Sequence, residues 1–283
     1  MKTFVNRLVL IGTLLVVLLI IAGFVRMRLI RCHSWKLPEK VHIMFMGASH
    51  VQHGIDDSMM ESAFNWSRGS ERYMYTYIKL KHLIPENPQV DTVFLELAPT
   101  DIWEDTDFKY YDLNEQSGFV SAYWPFFESE NWKVVMKTPV QVIGLIIGSL
   151  LDMNDLKQNG WWDHLGHFLE ADGEVDIKSL RPSKVPNTGH GYSVNYHYLR
   201  EIINLCKTND IKLFFLETPS YHPELYYDLD YFYNAYNKYF SDVVFLDYSN
   251  SPVNNDELYD GIHLNHKGAI RFTQEIKDRF HIK

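Results

Sequence analysis

Two short stretches of this sequence hold the residue types from which a nucleophilic site is built. Gly47-Ala48-Ser49-His50 follows directly on an apolar run, "VHIMFM". A serine on the turn that ends a buried strand presents its hydroxyl at the rim of a sheet, with backbone N–H groups nearby to receive an oxyanion. In "YDGIHLNHKGAIRF", Asp260 and His263 stand three residues apart. That spacing lets a carboxylate hold one imidazole nitrogen while the other faces outward as a general base. Each stretch also has a plainer reading. A serine after a glycine turn often only caps a helix, and Asp-x-x-His before a helix can be a cap with solvent-facing polar groups. The pair could also ligate a metal, yet no second such cluster accompanies it, and His42, His53, His82 and His222 are scattered. The sequence therefore implies neither metal nor cofactor. A P-loop is excluded because "GASHVQHG" lacks its lysine.

The elements that must carry these residues follow from the hydrophobic pattern. "VHIMFMGASH" reads as a buried strand and turn, and "ERYMYTYIKLKHLI" as a helix stopped before Pro85. "VDTVFLELAPTD" is a second buried strand, residues 194–208 an amphipathic helix, and "IKLFFLETPS" a third strand. A helix over Tyr226–Phe240, the strand "VVFLDYS" and a closing helix over 266–280 complete the series. Strands alternating with helices imply an α/β fold, a three-layer α/β/α sandwich on a mainly parallel sheet. Reactive groups in such sheets collect on loops at the carboxyl ends of the strands. Residues 103–190 interrupt the rhythm and hold five of the seven tryptophans, with an apolar run "VQVIGLIIGSLL" too short to span a bilayer. They read as an insertion whose aromatics form a local core, stack on sugar rings or touch lipid.

Taken together, a serine on the first strand's turn and an Asp-x-x-His on the last loop resemble the SGNH/GDSL hydrolase superfamily. "FMGASH" stands for its first block and "DGIHLN" for its last, and the likeness covers residues 41–102 and 194–283. The family's Gly-Asp-Ser is here Gly-Ala-Ser, and the Gly-x-Ser-x-Gly elbow of ordinary lipases is absent because Val51 occupies its last position. The resemblance implies a flavodoxin-like SGNH fold with Ser49 as nucleophile, His263 as base and Asp260 orienting it. It implies an oxyanion held by the Ser49 N–H and by that of Gly69 in "NWSRGSERY". The family's Gly-x-Asn-Asp block corresponds to "LAPTD", which puts Thr100 where an asparagine amide would donate. Asn65 is a different donor for the same place.

The amino terminus carries another signal. Between Arg7 and Arg26 lie 18 uncharged residues, "LVLIGTLLVVLLIIAGFV". At a rise of about 1.5 Å each they just cross a hydrocarbon core. The run exceeds a signal-peptide core, and Ile20 and Ile21 stand where a cleavage site wants small residues. The expected organisation is a tail at 1–7, a transmembrane helix at 8–25, a linker at 26–40, and an SGNH-like domain over 41–283 with the insertion at 103–190. Residues 1–40 carry seven Lys/Arg and one Glu, so the net charge of −9 leaves −15 on the remaining 243 residues. A body so acidic repels phosphate backbones, which excludes nucleic acid as a partner. Cys32 and Cys206 read as free thiols, too few for a disulfide scaffold.

Two functional classes result. One is a membrane-anchored serine esterase or O-acyltransferase acting on an acylated carbohydrate or other small ester of the cell envelope. The other is a non-catalytic binding or scaffold protein that keeps the fold. Counting basic residues beside the span favours a cytoplasmic body, whereas an envelope substrate requires an extracytoplasmic one. The functional argument is preferred.

Overall fold

Short apolar runs, four of the five closed by a glycine or an acidic residue, become the strands of one parallel sheet. The computed structural model describes residues 1–99, 113–150, 165–180 and 196–283. Along them run α1 (Lys2–Arg31), β1 (Ile43–Met46), α2 (Ser49–Gly54), β2 (Ala63–Asn65), α3 (Tyr73–Leu83) and β3 (Thr92–Glu96). Then come α4 (Leu113–Tyr123), α5 (Ser129–Val135), α6 (Pro139–Ser149) and α7 (His197–Thr208). The chain closes with β4 (Lys212–Glu217), α8 (Leu229–Tyr239), β5 (Val244–Asp247) and α9 (His266–Phe280). They fall into two compact units, one of Met1–Ser34 with Asp112–His164, the other of Trp35–Tyr111 with Leu165–Lys283.

The larger unit holds the sheet, in the order β2-β1-β3-β4-β5 with every pairing parallel. This is the flavodoxin-like order, whose direction of winding reverses between β1 and β3. Neighbouring side chains on a strand point to opposite faces, so adjacent phenylalanines serve both layers. Phe45, Phe94 and Phe214 stack across β1, β3 and β4, with ring centroids 4.8 and 5.3 Å apart, and Phe280 of α9 closes on Phe94 at 5.0 Å. Phe215 turns the other way, towards Tyr236 of α8 at 6.5 Å and Phe240 at 6.2 Å. Helices therefore cover both faces, as the alternating pattern implies.

In the smaller unit, α1 extends to Arg31, so the first six residues of the expected linker are helical. Its 30 residues are long and apolar enough to cross a membrane. Residues 112–164 of the expected insertion group with α1 rather than with the sheet. The cause is local packing: Trp124 approaches Gly23 and the Arg31 Nε donates to the Pro125 carbonyl at 2.7 Å. Trp124 is buried and its Nε1 donates to Ser149 Oγ at 3.0 Å, while Trp132 meets the edge of Phe127. Trp124 therefore belongs to a local core, and Trp132 is half-buried beside it. Trp103, Trp161 and Trp162 lie outside the described residues.

Candidate active site

The turn after β1 is shaped by a carboxylate from the neighbouring strand. Glu96, the buried last residue of β3, accepts the N–H groups of Ala48 and Val51 on one oxygen, Oε2, at 2.9 Å each. Gly47 makes this approach possible, since a Cβ there would lie 2.2 Å from Glu96 Cβ, on a backbone with φ of +155°. The chain then turns into α2, and Ser49 stands at its first position, beside the β1/β3 reversal where ligands bind in such sheets.

His263 reaches the same point from the far end of the sequence. Leu258 and Leu264 form an antiparallel bridge, and Tyr259 N–H donates to the His263 carbonyl at 3.0 Å, so residues 258–264 make a tight loop with Asp260 near its tip. Asn265 locks the base of that loop. Its Oδ1 caps α9 through Gly268 N–H at 3.1 Å, and its amide donates to the carbonyls of Gly173 and Asp256 at 2.7 and 3.0 Å.

The loop brings three side chains into one chain of hydrogen bonds. His263 Nε2 is 2.8 Å from Ser49 Oγ, and His263 Nδ1 is 2.8 Å from Asp260 Oδ2. A carboxylate only accepts, so Nδ1 carries the proton and neutral His263 offers a lone pair to the Ser49 hydroxyl. Asp260 Oδ1 accepts the N–H groups of Ile262 and His263 at 2.8 Å each. Burial works to raise the Asp260 pKa, but the bond from His263 and these backbone donors outweigh it and bring it to about 2.

Sequence reasoning overlooked much of the surrounding wall. His50 Nδ1 lies 2.6 Å from Glu217 Oε1 in a buried pair, and its ring meets His263 edge to face at 5.2 Å. His53 flanks His263 on another side at 5.5 Å, and its Nδ1–H donates to the Leu169 carbonyl at 2.7 Å. Burial, assisted by the nearby His263, lowers the His53 pKa. A small cleft of about 190 Å³ opens in front of Ser49 and His263, lined also by Ser70, Arg72, Glu96 and Tyr227. One signal for the carboxylates was present in the sequence: β3 reads "TVFLE" and β4 "KLFFLE", each a buried strand ending in an acid.

The cleft's edge is held by a buried ion pair. Lys79 Nζ and Glu71 Oε2 are 2.7 Å apart, and both side chains are fully buried. Burial pushes the Glu71 pKa up and the Lys79 pKa down, and each partner's charge opposes the shift of the other. The same ammonium donates to the carbonyls of Trp66 and Leu165. It thereby ties the loop before α3 to the segment beginning at Leu165. That segment continues past the site, with His167 N–H on Ser67 O and Leu169 N–H on Gln52 O.

The expected oxyanion donors fare differently. Ser49 N–H lies in the first turn of α2, where N–H groups have no acceptor within the helix. Gly69 is near Ser49, but its N–H donates to Gln52 Oε1 at 2.7 Å. The Asn65 expectation is corrected. Its amide is buried and donates to the carbonyls of Val51 and Ile55 at 3.0 and 2.7 Å, which fixes α2 to β2 and leaves no N–H for an oxyanion. Thr100 lies outside the described residues.

No protein-family model matches the sequence, and no curated protein matches it. Among solved structures, one from Streptococcus pneumonia, provisionally described as a platelet activating factor, aligns with 95% of this chain and 96% of its own, at 13% identity and a TM-score of 0.42. Another, provisionally described as an acylhydrolase from Bacteroides fragilis, aligns over 84% of this chain and 86% of its own, at 12% identity and a TM-score of 0.39. Likenesses this loose assign neither a family nor a reaction.

Proposed function

We propose that this chain is a membrane-anchored serine hydrolase of the SGNH type that removes or transfers a small O-acyl group, such as acetyl, on an envelope carbohydrate. The observation that carries the reading is the unbroken relay from Ser49 Oγ through His263 to Asp260 at the mouth of a cleft. In the first step Ser49 Oγ bonds to the acyl carbon while its proton passes to His263 Nε2. Asp260 holds the imidazolium through Nδ1–H. The Ser49 N–H receives the developing oxyanion, with Arg72 close by in the cleft wall. The ester C–O bond then breaks, and His263 returns the proton to the departing alkoxide. Water or an acceptor hydroxyl gives its proton to His263 and attacks the acyl-serine; the acyl C–Oγ bond then breaks, and His263 returns the proton to Oγ, which regenerates Ser49.

The small cleft favours a short acyl chain, because pockets for drug-sized ligands run to about 300–1,000 Å³. Carbohydrate esters of the envelope lie beyond the cytoplasmic membrane, so the reading puts the larger unit on that side. A non-catalytic envelope protein is the second reading, favoured by the two expected donors already engaged elsewhere, Gly69 N–H and the Asn65 amide. Hydrolysis of p-nitrophenyl acetate, butyrate and octanoate by the full chain in detergent tests the proposal. Turnover should be fastest on acetate and fall by about 10³-fold or more in Ser49→Ala. Equal rates for wild type and Ser49→Ala would remove the serine mechanism.

A further inference from the structure

The apolar helix α6 has a role that the hydrolase reading does not use. Its sequence, "PVQVIGLIIGS", carries no charge and only two polar side chains, Gln141 and Ser149. One side packs inward, with Val142 buried and Ser149 held by Trp124 Nε1. The other side is open: Val140 is 82% exposed, Ile143 50% and Ile147 38%, and Met136, in the turn between α5 and α6, is 42% exposed. Spacings of three and four residues put Val140, Ile143 and Ile147 on one helical stripe about 10 Å long. Gly144 and Gly148 lie on the same side, and a Cβ at either would meet nothing within 4 Å.

A covering for this stripe is suggested by what adjoins it. α6 packs against α1 within the smaller unit. The exposed apolar surface of α1 runs from Phe4 to Phe24, Val25 and Leu29, where Arg26, Arg28 and Arg31 bring the span to its end. A helix of 30 residues measures about 45 Å against a hydrocarbon core of about 30 Å, so one end must emerge into the headgroup region. The contacts of Trp124 with Gly23 and of Arg31 with Pro125 lie at that emerging end. At 11 residues, α6 is about half the length needed to cross by itself.

We infer that α6 is a second membrane contact, an interfacial helix whose Val140, Ile143 and Ile147 face lipid acyl chains beside the end of α1, with Met136 in the turn before it. The inference rests on α1 being inserted in a bilayer, and it is independent of the serine chemistry. Its consequence is that the smaller unit meets the membrane at two places, through α1 and through α6.

The test uses the full chain with Cys32→Ser. Cys206 stays, because its buried thiol, pushed up to about 12, resists alkylation. Single cysteines at Ile143, Val140, Leu15 or Tyr259 are labelled with a nitrobenzoxadiazole fluorophore in phosphatidylcholine nanodiscs. The expected result is about twofold or stronger quenching of the Ile143 and Val140 probes by lipid doxylated near the headgroup, with little quenching by iodide. The Leu15 probe should respond to deeply doxylated lipid, and the Tyr259 probe to iodide alone. Iodide quenching of both α6 probes, with Leu15 still lipid-quenched, overturns the inference and leaves the anchor intact. Shielding of both α6 probes from iodide and lipid alike overturns it in favour of a protein cover, such as a second copy. A Leu15 probe that ignores lipid overturns the inserted anchor and, with it, the inference.

Discussion

At the scale of single residues, the proposed base His263 depends on two carboxylate oxygens of Asp260 that do different things. Oδ2 fixes the ring and its tautomer, while Oδ1 is tied to backbone N–H groups and keeps the carboxylate ionised. Asp260→Asn keeps the shape but loses the charge that stabilises the imidazolium, and ester turnover should fall by about 10²–10⁴-fold. The sign of the stability effect follows from the same bonds. The folded value of about 2 lies below the ordinary 3.8, so the stabilisation is fully present above pH 3.8 and is lost as pH falls towards 2. Urea titrations at pH 5 and pH 2.5 should show wild type losing more stability than Asp260→Asn over that interval. Ser49, Asp260 and His263 were legible because each sits at a turn the sequence announces. Asn65 misled, because an asparagine's amide reads the same whether it faces a substrate or, as here, two buried carbonyls. Glu96 and Glu217 escaped notice because a strand-ending acid shows its target only once the neighbouring loop is in place.

At the scale of elements, the site depends on how loops are clamped to the sheet. Gly47→Ala drives a Cβ into Glu96 and should cost about 1–3 kcal/mol while misplacing Ser49, seen as a lower Tm together with slower turnover. The buried Lys79–Glu71 pair gives a second, sharper expectation. Lys79→Met strands a buried carboxylate and should lose about 3–5 kcal/mol, whereas Glu71→Leu with Lys79→Met should recover most of the Tm. Equal damage in the single and double variants would mean that the bonds of Lys79 to Trp66 and Leu165, and not the ion pair, hold the cleft edge. Four of the five strands were readable as apolar runs with clear stops. β2 was not, because three residues are too few to show a period. The grouping of residues 112–164 with α1 was equally hidden, since contact between apolar segments far apart in sequence leaves no local pattern.

At the scale of the molecule, charge and hydropathy divide the chain. The basic, apolar amino terminus precedes a body with a strong negative balance, and α1 is long and apolar enough to cross a membrane. Washing membranes with alkaline carbonate should leave the full chain in the pellet, and release into the supernatant would argue against an inserted α1. The central claim, that Ser49 is an activated nucleophile, needs no knowledge of the natural ester. Labelling of the full chain in detergent with a fluorophosphonate probe tests it most directly, because the probe requires an activated serine and an oxyanion pocket. The account predicts one label per chain, on Ser49, abolished in both Ser49→Ala and His263→Ala. A folded wild type that takes no label, or a label that survives Ser49→Ala, would contradict it.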